Sequence, residues 1–479
     1  MRKPVTTILG LALAAGLAWS GAAAEPAPAS VVREDLAALR QGLEQAHYDL
    51  YAHRTRAEHD QLYAALSARL TSPMAGPEAE ALLQRFAAFG KVGHARIDAP
   101  MLSFRKHLGE GGRFTPLFIR VDEGRTVVTF HADREGRVAP GFEVLTLQGE
   151  PIAVWLERAA ALVSAERPYM THALLEQAFP AVLWLMLGEV DRVRVTGRDA
   201  QGRTVQTEIR SVTLAERRAL SAQTPRLAVD FNAREFRMLG DGVGYLRPGA
   251  FADVAGETPG AFHGFIDASF RQLIASGARD LILDLRNNPG GDNSFSDPMI
   301  AWFADRPFRF ASSFRLRASP QAKAWYAQRL ASGGDVDPIL SALAQAEAAQ
   351  PDGARYDFAL PLNTPRPEPR FTGTVHVLVN RHSYSNAASA AALIQDYGFG
   401  KVVGEETADV PTTYASVLSF ALPSGIVVTY PKSRIVRPSG DERLLGVVPD
   451  HILAREPVAA ATDTVLDAAV DVVRRGRTE

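Results

Sequence analysis

Between residues 243 and 452 short apolar runs alternate with helical stretches, and the runs close on turn residues. Residues 281–285 (LILDL) and 375–379 (VHVLV) are short, apolar and rich in β-branched side chains, so they read as buried strands. Shorter strands fall at 243–246 and 402–403. Between them, 261–276 places Phe262, Phe265, Ile266, Phe270, Leu273 and Ile274 on one helical side, and a second helix runs from about 386 to 396. Residues 417–422 and 426–430 flank Pro423-Ser424-Gly425 as a hairpin. Strands separated by helices give a layered α/β domain. The Ala-rich stretch 318–349 reads as a helical cap or insertion over the site.

The rest of the chain is organised around that core. Residues 1–24 carry Arg2 and Lys3, an apolar run over 8–19 and the small residues Ala22-Ala23-Ala24 before Glu25, the pattern of a cleaved secretory signal. The run is short for about 30 Å of hydrocarbon. No later run reaches that length by inspection, since 178–187 is interrupted by Pro180. An exported protein, periplasmic or secreted, is expected. Residues 25–97 form an N-terminal helical domain, with Leu36, Leu39, Leu43, Leu62, Leu66 and Leu70 at helical steps. Residues 98–220 are mixed: strands at 117–121 and 126–130 turn at Asp122-Glu123-Gly124, and a small β domain follows, either PDZ-like with a peptide-accepting edge or a plain linking domain. The core spans 221–455, and 456–479 is a C-terminal helix.

Composition removes whole classes. With 52 basic against 54 acidic residues and no basic stripe, a nucleic-acid partner is not expected. Zero cysteines exclude disulfides, thiol nucleophiles and thiolate metal sites. No paired histidines stand at helical spacing, so neither a metal nor an organic cofactor is implied.

Three segments put turn residues at strand ends, where α/β folds build their sites. Asp284-Leu285-Arg286-Asn287-Asn288-Pro289-Gly290-Gly291 offers two glycines whose N–H groups could face an incoming oxygen, or a plain turn. In Ser383-Tyr384-Ser385-Asn386 a serine opens an alanine-rich helix, either as its cap or as a nucleophile. The third is Gly446-Val447-Val448-Pro449-Asp450.

Together these segments resemble the tail-specific, or C-terminal-processing, serine peptidases. The likeness is ungapped from Ser383 through Gln395-Asp396-Tyr397-Gly398 to Val402-Val403-Gly404-Glu405-Glu406-Thr407, and it extends over roughly residues 243–452. It implies a crotonase/ClpP-like layered core and Ser385 as nucleophile. Many members activate the serine with a lysine 25 residues later, but Val410 stands there, and Lys401 is out of pattern. The tricorn-like branch, which also resembles the retinoid-binding repeats, uses an upstream histidine instead. Gly93-His94-Ala95-Arg96 occupies that place, after His47-Tyr48-Asp49-Leu50-Tyr51, so the resemblance implies His94 as base, with His382 as its competitor. It implies Glu442, beside Asp441, as the group that orients the base, and N–H groups of Gly290 or Gly291 and Asn386 as the oxyanion hole. The expected activity is an exported serine endopeptidase acting on polypeptides through an acyl-enzyme. The rivals are an inactive binding protein on the same fold and an esterase or amidase with the same nucleophile.

Overall fold

The computed structural model describes residues 26–133, 135–221, 230–331, 338–458 and 460–477. The signal-like segment 1–24 therefore lies outside the described residues.

Three sheets organise the chain. The central one has six strands in the order His451–Ile452, Lys401–Gly404, Thr374–Val379, Asp280–Asp284, Val243–Arg247, Glu235–Gly240. All neighbours are parallel except the last pair, a hairpin. Parallel strands need crossovers, and the helices Ala261–Ala275 and Asn386–Tyr397 lie between consecutive strands of this kind. Asp280–Asp284 is buried throughout, as its apolar run requires. Helix Asn386–Tyr397 sinks into the core because Ala387, Ala388, Ala390, Ala391 and Ala392 let it approach the sheet closely.

The second sheet joins distant parts of the chain. Strand Val427–Val436 pairs with Thr413–Ala421 in the expected hairpin, and also with Arg96–Ile97 and Ser313–Arg317. The helical N-terminal region, comprising Ala29–Ala46, Arg56–Ala68 and Gly76–Phe89, is thus a layer on this sheet. Leu36, Leu39, Leu43, Leu82 and Phe86 share one core with Leu418, Leu422, Val428 and Tyr430. The 318–349 stretch gives helices Pro320–Ala331 and Pro338–Ala348, which pack into the same cluster through Ala322, Tyr326 and Ala344.

The third sheet is antiparallel, in the order Ile119–Asp122, Arg125–Val128, Glu143–Leu147, Arg192–Arg198, Thr204–Arg210, with Glu150–Pro151 beside Glu143–Leu147. Its first hairpin turns at Glu123 and Gly124, both at positive φ (48° and 79°), as a two-residue turn between twisted strands demands. Helix Pro168–Leu187 corrects the sequence reading of its region. It carries Pro180 without ending there and has the length and apolar composition of a membrane span, yet 67% of that window is buried inside the protein. The chain closes with helix Thr464–Gly476, shorter than the expected 456–479.

Candidate active site

The two turns that follow Asp280–Asp284 and Thr374–Val379 are stitched to each other. Asn287 N–H donates to Asn380 Oδ1 (3.0 Å), and Asn380 Nδ2 donates back to Asn287 Oδ1 (3.1 Å). Tyr384 N–H donates to Asn288 O (2.9 Å). Ser383, fully buried, donates through Oγ to Leu285 O (2.7 Å) and accepts from Asn380 N–H (3.1 Å). It is a latch between strand ends.

Ser385 is different. It precedes helix Asn386–Tyr397 with φ 53° and ψ −123°, and its side chain makes no capping hydrogen bond. A residue with a Cβ is strained at such angles, and sharp strand-to-helix turns that expose a nucleophile store strain of this kind. The hydroxyl reaches another partner: Ser385 Oγ lies 3.4 Å from His94 Nε2. That contact is long for a hydrogen bond. It unites residues 291 positions apart, because strand Arg96–Ile97 pins the His94 loop to Val427–Val436.

His94 is buried, 6% exposed. Burial pushes its pKa below the ordinary histidine value, while the nearby charge of Asp409 pulls it up. Nδ1 is buried and meets no partner within hydrogen-bond geometry, although the Tyr414 backbone close by favours the protonated ring.

Beneath Ser385 lies a residue that sequence reasoning passed over. Asp409, 1% exposed, accepts the Ser385 backbone N–H through Oδ2 (2.5 Å) and the Val410 N–H through Oδ1 (2.8 Å). It stands one place before Val410, the position at which the lysine is missing. A carboxylate in the Thr407-Ala408-Asp409-Val410 turn, with apolar residues on both sides, was the only available signal. Glu166 was also missed. Its Oε1 accepts the Gly93 N–H (2.9 Å), so it holds the loop that carries His94, and among the described residues its buried Oε2 has no partner. Burial, helped by the charge of Asp409, pushes the Glu166 carboxyl up to about 8.

The remaining expected residues fall as follows. Gly290 packs against the Ser385 turn: a Cβ there would meet Asn386 N and Tyr384 O at 2.7 Å and Ser385 Cβ at 2.8 Å. Its N–H, however, donates to Asn288 Oδ1 (2.8 Å). Among the described residues neither Gly291 N–H nor Asn386 N–H has an acceptor. Glu442 is not brought to His94. Its carboxylate accepts from Arg434 (2.5 Å) and its side chain is 58% exposed, because the loop after Val427–Val436 runs out over the surface. Asp441 is tied to Arg443 on the same loop. His382 turns from Ser385 to Glu176, its Nε2 3.0 Å from Oε2. Lys401 is exposed, with Asp450 as its partner.

Residues 242–453 match the sequence model of Peptidase family S41. That span includes the two stitched turns, Ser385 and Asp409, and stops short of His94. Among solved structures the chain resembles mature CPAF complexed with lactacystin, at 16% identity, over 93% of this chain and 98% of that one, with a TM-score of 0.63. Mature CPAF in a second crystal structure gives 17% identity over 89% and 93%, with a TM-score of 0.59. These likenesses establish a shared fold along nearly the whole length of each chain. No curated protein matches the sequence.

Proposed function

We propose that this chain is an exported serine peptidase that cleaves polypeptides through an acyl-enzyme on Ser385, with His94 as general base. Ser385 Oγ attacks the scissile carbonyl carbon while His94 Nε2 takes the hydroxyl proton. The carbonyl oxygen, now an oxyanion, is met by the N–H groups of Gly291 and Asn386 at the mouth of helix Asn386–Tyr397, whose dipole favours the same charge. Collapse of the tetrahedral intermediate breaks the C–N bond, and His94 passes its proton to the leaving amine. Water then attacks the ester, His94 again acting as base, and the acid product leaves with Ser385 restored.

One observation carries this reading: Ser385 occupies a strained helix-opening position, caps nothing, and has its hydroxyl 3.4 Å from a buried imidazole. The S41 match supports the peptide substrate class. The cleavable leader read in residues 1–24 supports export to the periplasm or beyond.

The test pairs a fluorophosphonate probe with casein turnover. The parent protein is expected to take up the probe covalently and to hydrolyse casein, and Ser385→Ala to do neither while melting within a few degrees of the parent. An unlabelled parent with no turnover would assign the fold to ligand binding instead. Labelling with turnover of short esters alone would make the protein an esterase.

A further inference from the structure

The Ser385–His94 pair lacks the carboxylate partner that the sequence assigned to Glu442, since Glu442 is held at the surface by Arg434. A histidine base works best with a neighbouring negative charge, which stabilises the imidazolium as it forms. Asp409 is buried directly behind the nucleophile.

We propose that Asp409 is the positioning carboxylate of this site, holding the Ser385 backbone N–H and placing its negative charge beside the His94 imidazole. The proposal rests on the reading of Ser385 and His94 as nucleophile and base.

Geometry supports it at two points. The 2.5 Å contact from Ser385 N–H to Asp409 Oδ2 fixes the peptide unit that sets the strained turn at the nucleophile. Both carboxylate oxygens are acceptors of backbone N–H groups, an arrangement that favours the ionised form. The surrounding charges divide the labour. Burial raises the Asp409 carboxyl above its ordinary value, and His94, the Ser385 and Val410 N–H groups and Arg167 only partly oppose that rise. Glu166, on the other side of the His94 loop, is pushed to about 8 and so is protonated at neutral pH. Tyr384 faces the same pair of carboxyls, and burial holds its phenol protonated. Arg96 opposes protonation of His94. Glu166 is thus the carboxyl that burial favours protonated, while the two backbone N–H groups on Asp409 favour its charged form.

The experiment follows the His94 ring by NMR across pH in the full chain, beside the pH dependence of kcat/KM. In Asp409→Asn the imidazole is expected to titrate at least about one pH unit lower than in the parent, because the charge that favours its protonated form has gone. kcat is expected to fall roughly 10²–10⁴-fold, since the base loses the charge that stabilises its protonated form. Glu442→Gln is expected to leave the His94 titration at its parental value. Two results overturn the proposal. One is an Asp409→Asn protein with an unmoved His94 titration, which reduces Asp409 to a backbone tether. The other is a shift of the His94 titration in Glu442→Gln, which returns the role to Glu442 and can be read even where Asp409→Asn does not fold. The ring titration requires no turnover, so failure of the peptidase reading, seen as a Ser385→Ala protein that keeps activity, is distinguishable from failure of this assignment.

Discussion

Ser383 and Ser385 sit one alternation apart in the same turn, and their surroundings give them opposite energetics. Ser383 spends both sides of its hydroxyl on buried backbone groups. Ser383→Ala would leave Leu285 O and Asn380 N–H without that partner, at roughly 1–3 kcal/mol, so the melting temperature should drop by several degrees while the nucleophile remains. Ser385 gives its backbone nothing and carries strain at φ 53°. Replacing it by glycine removes the Cβ that makes such angles costly, about 1–3 kcal/mol, against the roughly 0.5–1 kcal/mol of extra chain entropy glycine brings. Ser385→Gly should therefore melt above Ser385→Ala, by about 1 kcal/mol in calorimetry. The reverse order would show that no strain is held at the nucleophile.

At the scale of elements, the site depends on how helix Pro168–Leu187 and strand Ile119–Asp122 lock onto the nucleophile strand. Arg381, two residues past Thr374–Val379 and 4% exposed at its side chain, reaches Glu176 (2.5 Å), Glu405 (3.0 Å) and Asp122 (3.5 Å). Arg455 joins through Asp122 and Glu405, and Tyr169 donates to Glu405 (2.7 Å). Breaking a buried ionic cluster by removing one member leaves its partners uncompensated, about 3–5 kcal/mol. A surface pair contributes about 0–1 kcal/mol. In thermal melts Arg381→Ala should thus cost several times more than Arg434→Ala, whose partner Glu442 is exposed. Equal shifts would mean that water already reaches the cluster. None of these partnerships was legible in the sequence, because Arg381 and Glu176 lie 205 positions apart and an isolated arginine reads as surface. The parallel core was legible for the opposite reason: strands buried on both faces must be apolar throughout, and a helix sunk among them must be small-sided. The 284–291 turn and Ser385 were legible as strand ends. The expected orienter Glu442 was not separable from a surface loop residue by pattern alone, and Asp409 was hidden because burial of a single carboxylate leaves no periodic mark. Pro168–Leu187 was cut short in the reading by Pro180, which this largely buried helix accommodates.

Across the whole molecule, His94, the proposed base, comes from the N-terminal layer and Ser385, the proposed nucleophile, from the parallel core, so the pH behaviour proposed for the site is set by how deeply the assembled chain buries His94. An unburied histidine would switch near pH 6.5. Burial lowers the His94 value and Asp409 only partly offsets this. The neutral, base-competent ring therefore persists to more acid pH, and kcat/KM should rise with pH through one ionisation below about 6.5 and then level off. Stability changes in the same acid range. His47, fully buried, is pushed down to about 3 by burial and by Arg317 and His59. Below pH 6.5 the unfolded chain takes up a proton there that the folded chain refuses until about pH 3, so this contribution to stability is present above pH 6.5 and is lost as pH falls through that window. The activity profile is accordingly measured at a temperature well below the melting point at each pH. His94→Gln should abolish the ionisation and lower kcat/KM by roughly 10³-fold or more, as expected when one member of a cooperating nucleophile–base unit is removed. His382→Gln should keep the ionisation, because that ring is engaged with Glu176. A His94→Gln enzyme with near-parental rate and an intact acid limb would remove His94 from the mechanism and leave the assembly of the two layers without a catalytic purpose.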